Sequence, residues 1–396
     1  MNKSEFFAEA RTDGMGPLSG LMVLEATTSW AGPMAGCILA DFGAEVVKVE
    51  HPDGEITRIS PPLVPAGAKL SFLNENVNRN KKSLSLDMRT DGDREVFLAL
   101  AKHADVVLEN FKPGTMADWG LGYSHVKAVK PDIVYVSISG FGQFGPMHDR
   151  VGYDPIAQAF TGWMSLNGEA DGGPMKAPTF LGDDMAGMYG ALSTLAALRH
   201  RDATGEGQHV DVALVDSLFA HCNFFPSIAS IGLAPERLGN QFPGAAPFSC
   251  FACQDGHVFA GVALDSHWVK LLGAMGRDDL VDDERYATIP ERVAHRDEVN
   301  AIVAEWCTGK TQSEVIEILT QTGIPVSPVN DFSAAAAHPH IAAREMLQMT
   351  TLSDGTRAPL VGPAPKFSRT PVRIRKSSST IGADNDEILA RLHDRS

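Results

Sequence analysis

Residues 21–50, LMVLEATTSWAGPMAGCILADFGAEVVKVE, contain two short apolar segments on either side of a longer helical pattern. The segments 21–25 and 46–50 have the length and composition of strands. Between them, residues 31–42 carry apolar side chains at helical spacing, and Gly43 ends that helix. This order of strand, helix and strand predicts the first unit of a parallel sheet.

The same alternation continues through the first half of the chain. Helical patterns cover residues 93–103, 124–130 and 183–200, and apolar segments typical of strands cover residues 104–110, 133–139 and 209–214. Parallel strands have to be joined by crossover connections, which are usually helices. We therefore predict an α/β fold with helices on the faces of a parallel sheet.

The pattern changes after residue 222. Residues 223–247 are rich in proline, glycine, asparagine and phenylalanine and show weak periodicity. Beyond them we predict a hairpin that turns at Asp255-Gly256, followed by helices at 266–275, 297–306 and 311–322. We expect a large α/β domain over 1–222, a linker over 223–247, a small α+β domain over 248–330, and a linker with a C-terminal return to the large domain over 331–396. In that last region we predict a helix at 331–348, β structure at 349–375 and a short helix at 384–393.

The chain of 396 residues is acidic, with 34 lysine and arginine residues against 49 aspartate and glutamate residues and a formal net charge of −15. A field of this sign repels nucleic acids and anionic membrane surfaces. The sequence has no run of about 18 apolar residues that could span a bilayer, and its N-terminal segment lacks the apolar core of a signal peptide. Its five cysteines are too scattered for a disulfide framework. We expect a cytoplasmic protein whose partners are neither nucleic acids nor membranes.

Three sequence patterns suggest ligand sites but lack residues that such sites require. Glu50 ends a predicted strand as a ribose-binding acid would, yet residues 27–32 contain no G-x-G-x-x-G for a dinucleotide. The segment 309–311, GKT, follows a predicted helix and lacks the first glycine of a phosphate loop. Cys250 and Cys253 have the spacing of a zinc or redox pair, but no second pair completes a tetrahedral site. We therefore expect no metal site.

Two clusters of charged residues each allow a structural and a functional interpretation. The segment 79–82, RNKK, carries three cations, and Arg89 follows; this cluster is consistent with a solvated turn or with a site for a phosphate-bearing ligand. Asp183 and Asp184 stand at the start of a predicted helix, where carboxylates are stabilised by free backbone N–H groups. Each aspartate could be a helix cap, and a partly desolvated carboxylate there could also be a covalent nucleophile toward an acyl group.

Several longer stretches of the sequence carry a resemblance. They are residues 17–58, 78–88 (NRNKKSLSLDM), 104–114 (ADVVLENFKPG), 131–146 (PDIVYVSISGFGQFGP), 152–162 (GYDPIAQAFTG), 181–187 (LGDDMAG), 207–217 (GQHVDVALVDS) and 366–371 (KFSRTP). Together they resemble the class III coenzyme A transferases, the family that includes formyl-CoA transferase and carnitine CoA-transferase. The resemblance covers the chain from about residue 16 to its end.

The resemblance implies a fold and a reaction. The fold is a Rossmann-like large domain with an inserted smaller α+β domain, in an interlocked homodimer. The reaction moves CoA from an acyl-CoA donor, for which succinyl-CoA is one candidate, to a free carboxylic acid. The family's nucleophilic aspartate lies four residues before a glycine, a position that Asp183 holds relative to Gly187. An aspartyl-CoA thioester would conserve the thioester energy, so the resemblance implies no permanently bound cofactor, with CoA and acyl-CoA as substrates.

The resemblance also implies CoA-binding positions, and two of the family's common arginines are replaced here. His51 and Asp118 stand at those positions, so the diphosphate is expected to depend more on cations of the basic cluster. The glycine-rich loop of formyl-CoA transferase corresponds to residues 240–247, NQFPGAAP, which casts doubt on gating of that kind. The expected CoA-binding residues are Ser29, Trp30, Ala31, His51, Arg79, Lys82, Leu86, Arg89, Asn110 and Phe111.

Two alternatives to a transferase remain open at this point. The same superfamily includes α-methylacyl-CoA racemase, whose catalytic histidine occupies a G-H-D segment. The matching residue here is Tyr153, whose phenol, with an ordinary pKa near 10, is a poor replacement for an imidazole at neutral pH. The second alternative is an acyl-CoA-binding relative without catalysis, which the retained Asp183 disfavours.

Overall fold

The computed structural model describes residues 1–65 and 70–394, and the chain divides into two compact units. The first unit comprises Met1–Trp163, Lys176–Ser227 and Pro339–Ser396, and the second comprises Met164–Met175 and Ile228–His338. Within the described residues, no helix is both long enough and apolar enough to cross a membrane.

The secondary structure of both units is as follows. The strands are β1 (Met22–Ala26), β2 (Glu45–Glu50), β3 (Lys82–Ser85), β4 (Val106–Glu109), β5 (Val134–Ser139), β6 (His209–Ala213), β7 (Phe248–Cys253), β8 (Gly256–Gly261), β9 (Val326–Pro328), β10 (Leu347–Thr351) and β11 (Arg357–Val361). The helices are α1 (Lys3–Phe6), α2 (Ala31–Asp41), α3 (Phe72–Val77), α4 (Asp91–Ala101), α5 (Thr115–Asp118), α6 (Tyr123–Val129), α7 (Asp154–Phe160), α8 (Trp163–Leu166), α9 (Leu181–Thr204), α10 (Leu214–Ala220), α11 (Phe225–Ser230), α12 (Asp265–Met275), α13 (Ile289–Ala294), α14 (Arg296–Thr308), α15 (Gln312–Gln321), α16 (Phe332–Ala337), α17 (Pro339–Ala343) and α18 (Asn385–Asp394). Short 3₁₀ turns lie at Ile56–Arg58 and Asp278–Leu280.

The first unit is built on a six-stranded sheet in which every neighbouring pair of strands is parallel. The strand order is β3-β2-β1-β4-β5-β6, as in Rossmann-type sheets. The predicted parallel α/β architecture is therefore confirmed. The order reverses between β1 and β4, and ligands of open α/β sheets bind in the crevice at the carboxyl ends of the strands at such a reversal.

Both faces of this sheet are covered, because successive side chains of a strand point to opposite sides. On β1, Val23 packs in a core with α2 and α9, while Leu24 packs in the core on the other face, which includes Phe97 of α4. Each of these side chains is almost fully buried. The near-continuous apolar character of the strands follows from burial on both faces.

Helix α9 approaches α2 and strand β5 so closely that side chains are excluded at two positions. A Cβ atom on Gly187 would lie 2.8 Å from Cβ of Met34 and 3.0 Å from the carbonyl oxygen of Ala31. A Cβ atom on Gly190 would lie 2.7 Å from Cδ1 of Ile138, below the closest approach of real carbon atoms. The two glycines therefore fix how deeply the first half of α9 sits on α2 and the sheet.

The second unit contains a three-stranded antiparallel sheet in the order β7-β8-β9, covered by helices. Its core includes Trp268, Leu272 and Val299. Arg292 is fully buried there, and it donates hydrogen bonds to the carbonyl oxygens of Ala246 at 3.0 Å and Tyr286 at 2.9 Å. The predicted hairpin is present, and its turn lies at residues 254–255, so Gly256 is already the first residue of β8.

The prediction of a single helix over residues 331–348 is wrong. Two short helices, α16 and α17, replace it, and β10 already begins at Leu347. His338 has an extended conformation, with φ −66° and ψ 131°, because the proline ring that follows it disfavours helical geometry. The β structure predicted at 349–375 is confined to the antiparallel hairpin of β10 and β11.

Candidate active site

A cavity of about 400 Å³ lies beside the carboxyl ends of β1, β2, β3 and β4 in the first unit. Five of the ten residues predicted to bind CoA line it. They are Ser29, His51, Leu86, Arg89 and Phe111. The other lining residues are Thr27, Thr28, Val49, Glu50, Gly54, Glu55, Ile56, Asp87, Met88 and Trp119. The aromatic rings of Phe111 and Trp119 meet edge to face, with their centres 5.2 Å apart, and form an apolar wall.

The loop that follows β1 forms one side of this cavity, and its backbone is held at successive residues. The Lys48 ammonium donates to the carbonyl oxygen of Thr27 at 2.9 Å. The Asn110 amide both accepts from the N–H and donates to the carbonyl oxygen of Thr28, each at 2.8 Å. The N–H of Ser29 donates to Oε2 of Glu55 at 2.8 Å. Asn110 therefore positions the loop rather than lining the cavity.

A buried ion network lies behind this loop. The Lys48 ammonium lies 3.1 Å from Oε1 of Glu55, and the Lys81 ammonium donates to Oε1 of Glu25 at 2.9 Å and to the carbonyl oxygen of Pro33 at 2.8 Å. The four charged side chains are almost completely buried. Burial opposes ionisation of Glu55, but Lys48 and several hydrogen bonds outweigh it and hold the pKa of Glu55 below its ordinary value. Such a network keeps its geometry because separating the charges inside a protein is costly.

The rim of the cavity carries two basic residues, His51 directly after β2 and Arg89 four residues after the end of β3. The Arg89 guanidinium donates to both carboxylate oxygens of Asp87, at 2.7 and 2.9 Å, and it contacts Nε2 of His51. These hydrogen bonds, more than the opposing desolvation, lower the pKa of Asp87. The Arg89 side chain is mostly exposed, so an incoming anion can reach it.

The structure does not bring Arg79 and Lys82 to this cavity. Arg79 is buried, and its guanidinium donates to the two carboxylate oxygens of Asp41 at 3.2 and 2.6 Å. The Lys82 ammonium lies 2.6 Å from a carboxylate oxygen of Glu45 and 2.5 Å from one of Glu387. Both cations are thus engaged in internal ion pairs, and the buried Arg79 does not fit the solvated turn of the structural interpretation.

Trp30 and Ala31 connect the cavity loop to helix α9. The indole Nε1 of Trp30 donates to Oδ1 of Asp184 at 2.7 Å, and Ala31 begins α2, where its carbonyl oxygen faces Gly187. The Trp30 ring also lies 5.3 Å from the ring of Phe180. The loop that lines the cavity is therefore in direct contact with the first turn of α9.

Asp183 lies in that first turn and is mostly withdrawn from solvent. Burial, followed by the nearby charges of Asp154 and Asp184, raises the pKa of Asp183 to about 7. Among the described residues, no cation or hydrogen-bond donor pairs with its carboxylate. A carboxyl group in this state titrates near neutral pH and is available to a reactant, as is typical of functional groups in active sites.

Asp154 fixes the start of α9 from the neighbouring helix α7. It is almost completely buried, and its Oδ1 accepts from the N–H of Gly182 at 2.6 Å while its Oδ2 accepts from the Gln158 amide at 2.8 Å. Tyr153, which precedes it, is 65% exposed and stands at the N-cap of α7. The tyrosine therefore lies in solvent while the aspartate beside it supports the turn that carries Asp183.

Three residues that shape the site were not identified from the sequence. Glu55 accepts a hydrogen bond from the N–H of Ser29, and Asp154 accepts one from the N–H of Gly182. Glu109 accepts from the N–H of Phe111 at 2.9 Å. Burial raises the pKa of Glu109 to about 7. Asp154 could have been noticed because it follows the tyrosine of the G-Y-D segment, but no local pattern reveals what Glu55 and Glu109 contact.

The chain matches CoA-transferase family III over residues 18–385. It is 38% identical over 384 residues to the succinate–glutarate CoA-transferase of Agrobacterium fabrum, an alignment that covers 95% of this chain and 96% of that protein. It is 41% identical over 340 residues to the succinyl-CoA:mesaconate CoA-transferase of Haloarcula hispanica, with 84% of this chain and 85% of that protein covered. The crystal structure of a CaiB/BaiF family protein from Brucella suis matches with a TM-score of 0.85 and 34% identity, over 96% of this chain and 100% of that one.

These matches extend over nearly the whole chain, and the predicted family is confirmed. The protein belongs to CoA-transferase family III and is a CoA-transferase.

Proposed function

We propose that this CoA-transferase works through a covalent thioester between Asp183 and CoA. The observation that carries the proposal is the state of the Asp183 carboxyl group, which is desolvated, lies among other carboxylates and has a pKa near neutrality. A carboxylate held in this way can attack the carbonyl carbon of a thioester, because it is not stabilised by a cation that the reaction would have to displace.

The proposed cycle has two symmetrical halves. The Asp183 carboxylate attacks the acyl carbon of the donor, CoA thiolate leaves, and a mixed anhydride forms. The thiolate then attacks the aspartyl carbonyl carbon, which releases the donor acid and leaves aspartyl-CoA. The incoming carboxylate attacks this thioester and expels the thiolate, which finally attacks the new acyl carbon and restores the Asp183 carboxylate. The N–H groups of Gly182 and Asp184 already donate to Asp154 and to Phe180, so the other backbone N–H groups of the first turn of α9 are the candidates to stabilise the oxyanions.

The cavity at the carboxyl ends of β1 to β4 is the proposed site for the nucleotide end of CoA. Its apolar wall of Phe111 and Trp119 suits a purine ring, and Arg89 and His51 on its rim suit phosphate oxygens. The pantetheine arm would then follow the loop from Ser29 to Trp30 toward the first turn of α9. The contact between Trp30 and Asp184 supports this path.

We propose succinyl-CoA as the donor and a short dicarboxylic acid as the acceptor. The relatives named above are described as acting on succinate and glutarate in one case and on succinyl-CoA and mesaconate in the other. Succinate, glutarate and mesaconate are all small acids with two carboxyl groups. A panel of such acids, tested with succinyl-CoA and with acetyl-CoA, will identify the preferred pair.

We also propose that the active form is a homodimer. An apolar groove of about 740 Å³ runs between α2 and α9 and reaches residues 362–365. Met188 and Leu192 of α9 line it, although they are 52% and 61% exposed. A second copy of the chain would remove these side chains from water, which favours association. Light scattering after size-exclusion chromatography will give the mass in solution, and a monomer at working concentration would contradict the proposal.

The proposed intermediate can be trapped directly. Enzyme incubated with donor alone should carry an activated acyl group on Asp183, which hydroxylamine converts to a hydroxamate and borohydride reduces to an alcohol. Asp183→Ala should show neither modification and no transfer, while CoA binding remains. Asp184→Ala is the comparison variant: its transfer should be slower than that of the wild type, but unlike Asp183→Ala it should still form the trapped intermediate. A dead Asp184→Ala together with an active Asp183→Ala would reverse the assignment.

The same experiment separates a transferase from a racemase. A racemase that used Asp183 only as a base would leave that carboxylate unmodified and would wash deuterium from heavy water into the α-carbon of a 2-methylacyl-CoA. The exposed position of Tyr153 does not favour a second acid–base group at the G-Y-D segment. Deuterium exchange without any mass change on the peptide that contains Asp183 would contradict the transferase mechanism.

A further inference from the structure

Asp184 follows the proposed nucleophile directly, and its side chain has a partner outside α9. Its Oδ1 accepts a hydrogen bond of 2.7 Å from the indole Nε1 of Trp30. The same indole ring lies 5.3 Å from the ring of Phe180, and the Asp184 N–H donates to the Phe180 carbonyl oxygen at 2.8 Å. Trp30 therefore contacts both ends of the helical turn on which Asp183 lies.

The backbone that carries Trp30 is fixed independently of this contact. Ser29 is held by Glu55 and Thr28 is held by Asn110, each through hydrogen bonds of 2.8 Å. The loop is thus positioned by the sheet and by the buried ion network, while the indole reaches across to α9. Without the acceptor on Asp184, the indole N–H would lose its partner in a partly buried place.

We infer that Asp184 is a positioning residue, which holds the Trp30 indole across the first turn of α9 and so fixes the Asp183 carboxyl group relative to the cavity loop. The inference rests on the proposed function of Asp183. Group transfer depends steeply on such distances, because a displacement of about 1 Å at a reacting group can cost roughly a hundredfold in rate. Asp184 would then affect the chemical steps while making no bond to the acyl group.

Two properties of Asp184 can be separated by substitution. Its carboxylate accepts the hydrogen bond from Trp30, and its charge is one of the causes that raise the pKa of Asp183. Asp184→Asn keeps an oxygen acceptor and removes the charge. Trp30→Phe removes the donor and keeps the charge. Asp184→Ala removes both, so the three variants distinguish the role of the hydrogen bond from that of the charge.

The test measures kcat and KM for transfer, and the rate at which hydroxylamine traps the acyl-enzyme, in these three variants and in the double variant Trp30→Phe/Asp184→Ala. We expect kcat and the trapping rate to fall roughly ten- to a hundredfold in Trp30→Phe and in Asp184→Ala. We expect the double variant to be no worse than Trp30→Phe, because both changes remove one contact. Asp184→Asn should lie closer to the wild type than Asp184→Ala does.

Controls separate positioning from a general loss of structure. Melting temperatures should stay near that of the wild type while kcat falls, and the calorimetric CoA affinities of Asp184→Asn and Asp184→Ala should also stay near the wild-type value. Trp30 lies on the proposed path of the pantetheine arm, so Trp30→Phe is compared by its kcat at saturating acyl-CoA. Trp306→Phe, in the second unit, controls for the loss of an indole elsewhere. The pH dependence of the trapping rate should move to lower pH in Asp184→Asn and Asp184→Ala, which lack the neighbouring charge, and should not move in Trp30→Phe.

Two results would overturn the inference, and they differ from a failure of the proposed function. Additive losses in the double variant, or an Asp184→Asn as slow as Asp184→Ala, would show that the hydrogen bond to Trp30 does not position the site. Asp183→Ala is measured in parallel. An active Asp183→Ala would remove the proposed nucleophile itself, whereas an inactive one with no coupling between Trp30 and Asp184 would remove only the positioning role.

Discussion

The N–H of Ser29 donates to Oε2 of Glu55 at 2.8 Å, and Ser29 itself has a left-handed backbone conformation with φ 63°. A residue with a Cβ atom rarely adopts this conformation, and the surrounding structure has to stabilise it. Glu55 is itself held by the Lys48 ammonium at 3.1 Å and by the Asn78 amide at 3.1 Å. The shape of the cavity wall at Ser29 therefore depends on a buried carboxylate 26 residues further along the chain.

Glu55→Ala should destabilise the protein and weaken CoA binding together. It leaves Lys48 buried with one counter-charge fewer and releases the Ser29 N–H, and breaking a buried ion pair costs about 3–5 kcal/mol. Chemical denaturation and calorimetric titration with CoA measure the two effects. Glu45→Ala is the control, because its ion pairs with Lys82 and Arg391 are partly exposed and contribute about 0–1 kcal/mol. Equal losses in the two variants would contradict the role assigned to Glu55.

Asp183→Asn should be more stable than the wild type at pH 8. The pKa of Asp183 is about 7 in the folded protein and near 4 in an unfolded chain. At pH values between these two pKa values, the unfolded chain releases the Asp183 proton while the folded protein retains it. The free energy of unfolding of the wild type therefore falls as the pH rises from about 4 to about 7. The asparagine lacks this loss, and we expect a gain of roughly 1–4 kcal/mol at pH 8 that disappears near pH 4.

Asp354→Asn is the control of opposite sign for this experiment. Hydrogen bonds from the Thr356 N–H and hydroxyl group lower the pKa of Asp354 in the turn between β10 and β11. Its contribution to stability is present at neutral pH and is lost in acid. The variant should therefore be less stable than the wild type at pH 8. If thermal denaturation gives Asp183→Asn no advantage at pH 8 over pH 4, the elevated pKa is wrong.

Gly187→Ala should separate α9 from α2 and slow the reaction. The new methyl group would lie 2.8 Å from Cβ of Met34 and 3.0 Å from the Ala31 carbonyl oxygen, so the helix start has to shift. Overpacking of this kind costs about 1–3 kcal/mol. Gly273→Ala in α12 is the control, because nothing lies within 4 Å of its Cβ position, and alanine in a helix interior should stabilise by about 1 kcal/mol. Unchanged activity in Gly187→Ala would show that the position of α9 tolerates a shift.

Arg89→Ala should weaken CoA binding and reduce its salt dependence. The guanidinium lies on the cavity rim and is accessible, so we expect a loss of about five- to twentyfold in affinity at low salt. Lys82→Ala should have a smaller effect, because its ammonium already lies between Glu45 and Glu387. Calorimetric titration at two salt concentrations compares the variants. A larger loss in Lys82→Ala than in Arg89→Ala would show that the segment 79–82, and not the cavity rim, binds the phosphates.

Periodicity made the architecture of the first unit predictable. The strand β1, the helix α2 and the strand β2 follow the apolar pattern of residues 21–50, because side-chain spacing within one element directly reflects which face is buried. The helix predicted at 183–200 is present as α9, so the position of Asp183 near a helix start was also accessible from the sequence. The prediction of one helix over 331–348 was wrong because Pro339 disfavours a helical conformation at His338. This preference outweighed the helix-forming alanines that precede His338.

The partners of charged side chains depended on tertiary structure. The sequence grouped Arg79, Lys82 and Arg89 because they are close along the chain, whereas packing pairs Arg79 with Asp41 and Lys82 with Glu387, which is 305 residues away. The same applies to Trp30 and Asp184, which are 154 residues apart and meet at 2.7 Å. Local sequence determined which segments form helices and strands and which residues can do chemistry. Only the packed sheet decided which of those residues meet, because Coulomb and hydrogen-bond energies depend on distances that the fold creates between remote segments.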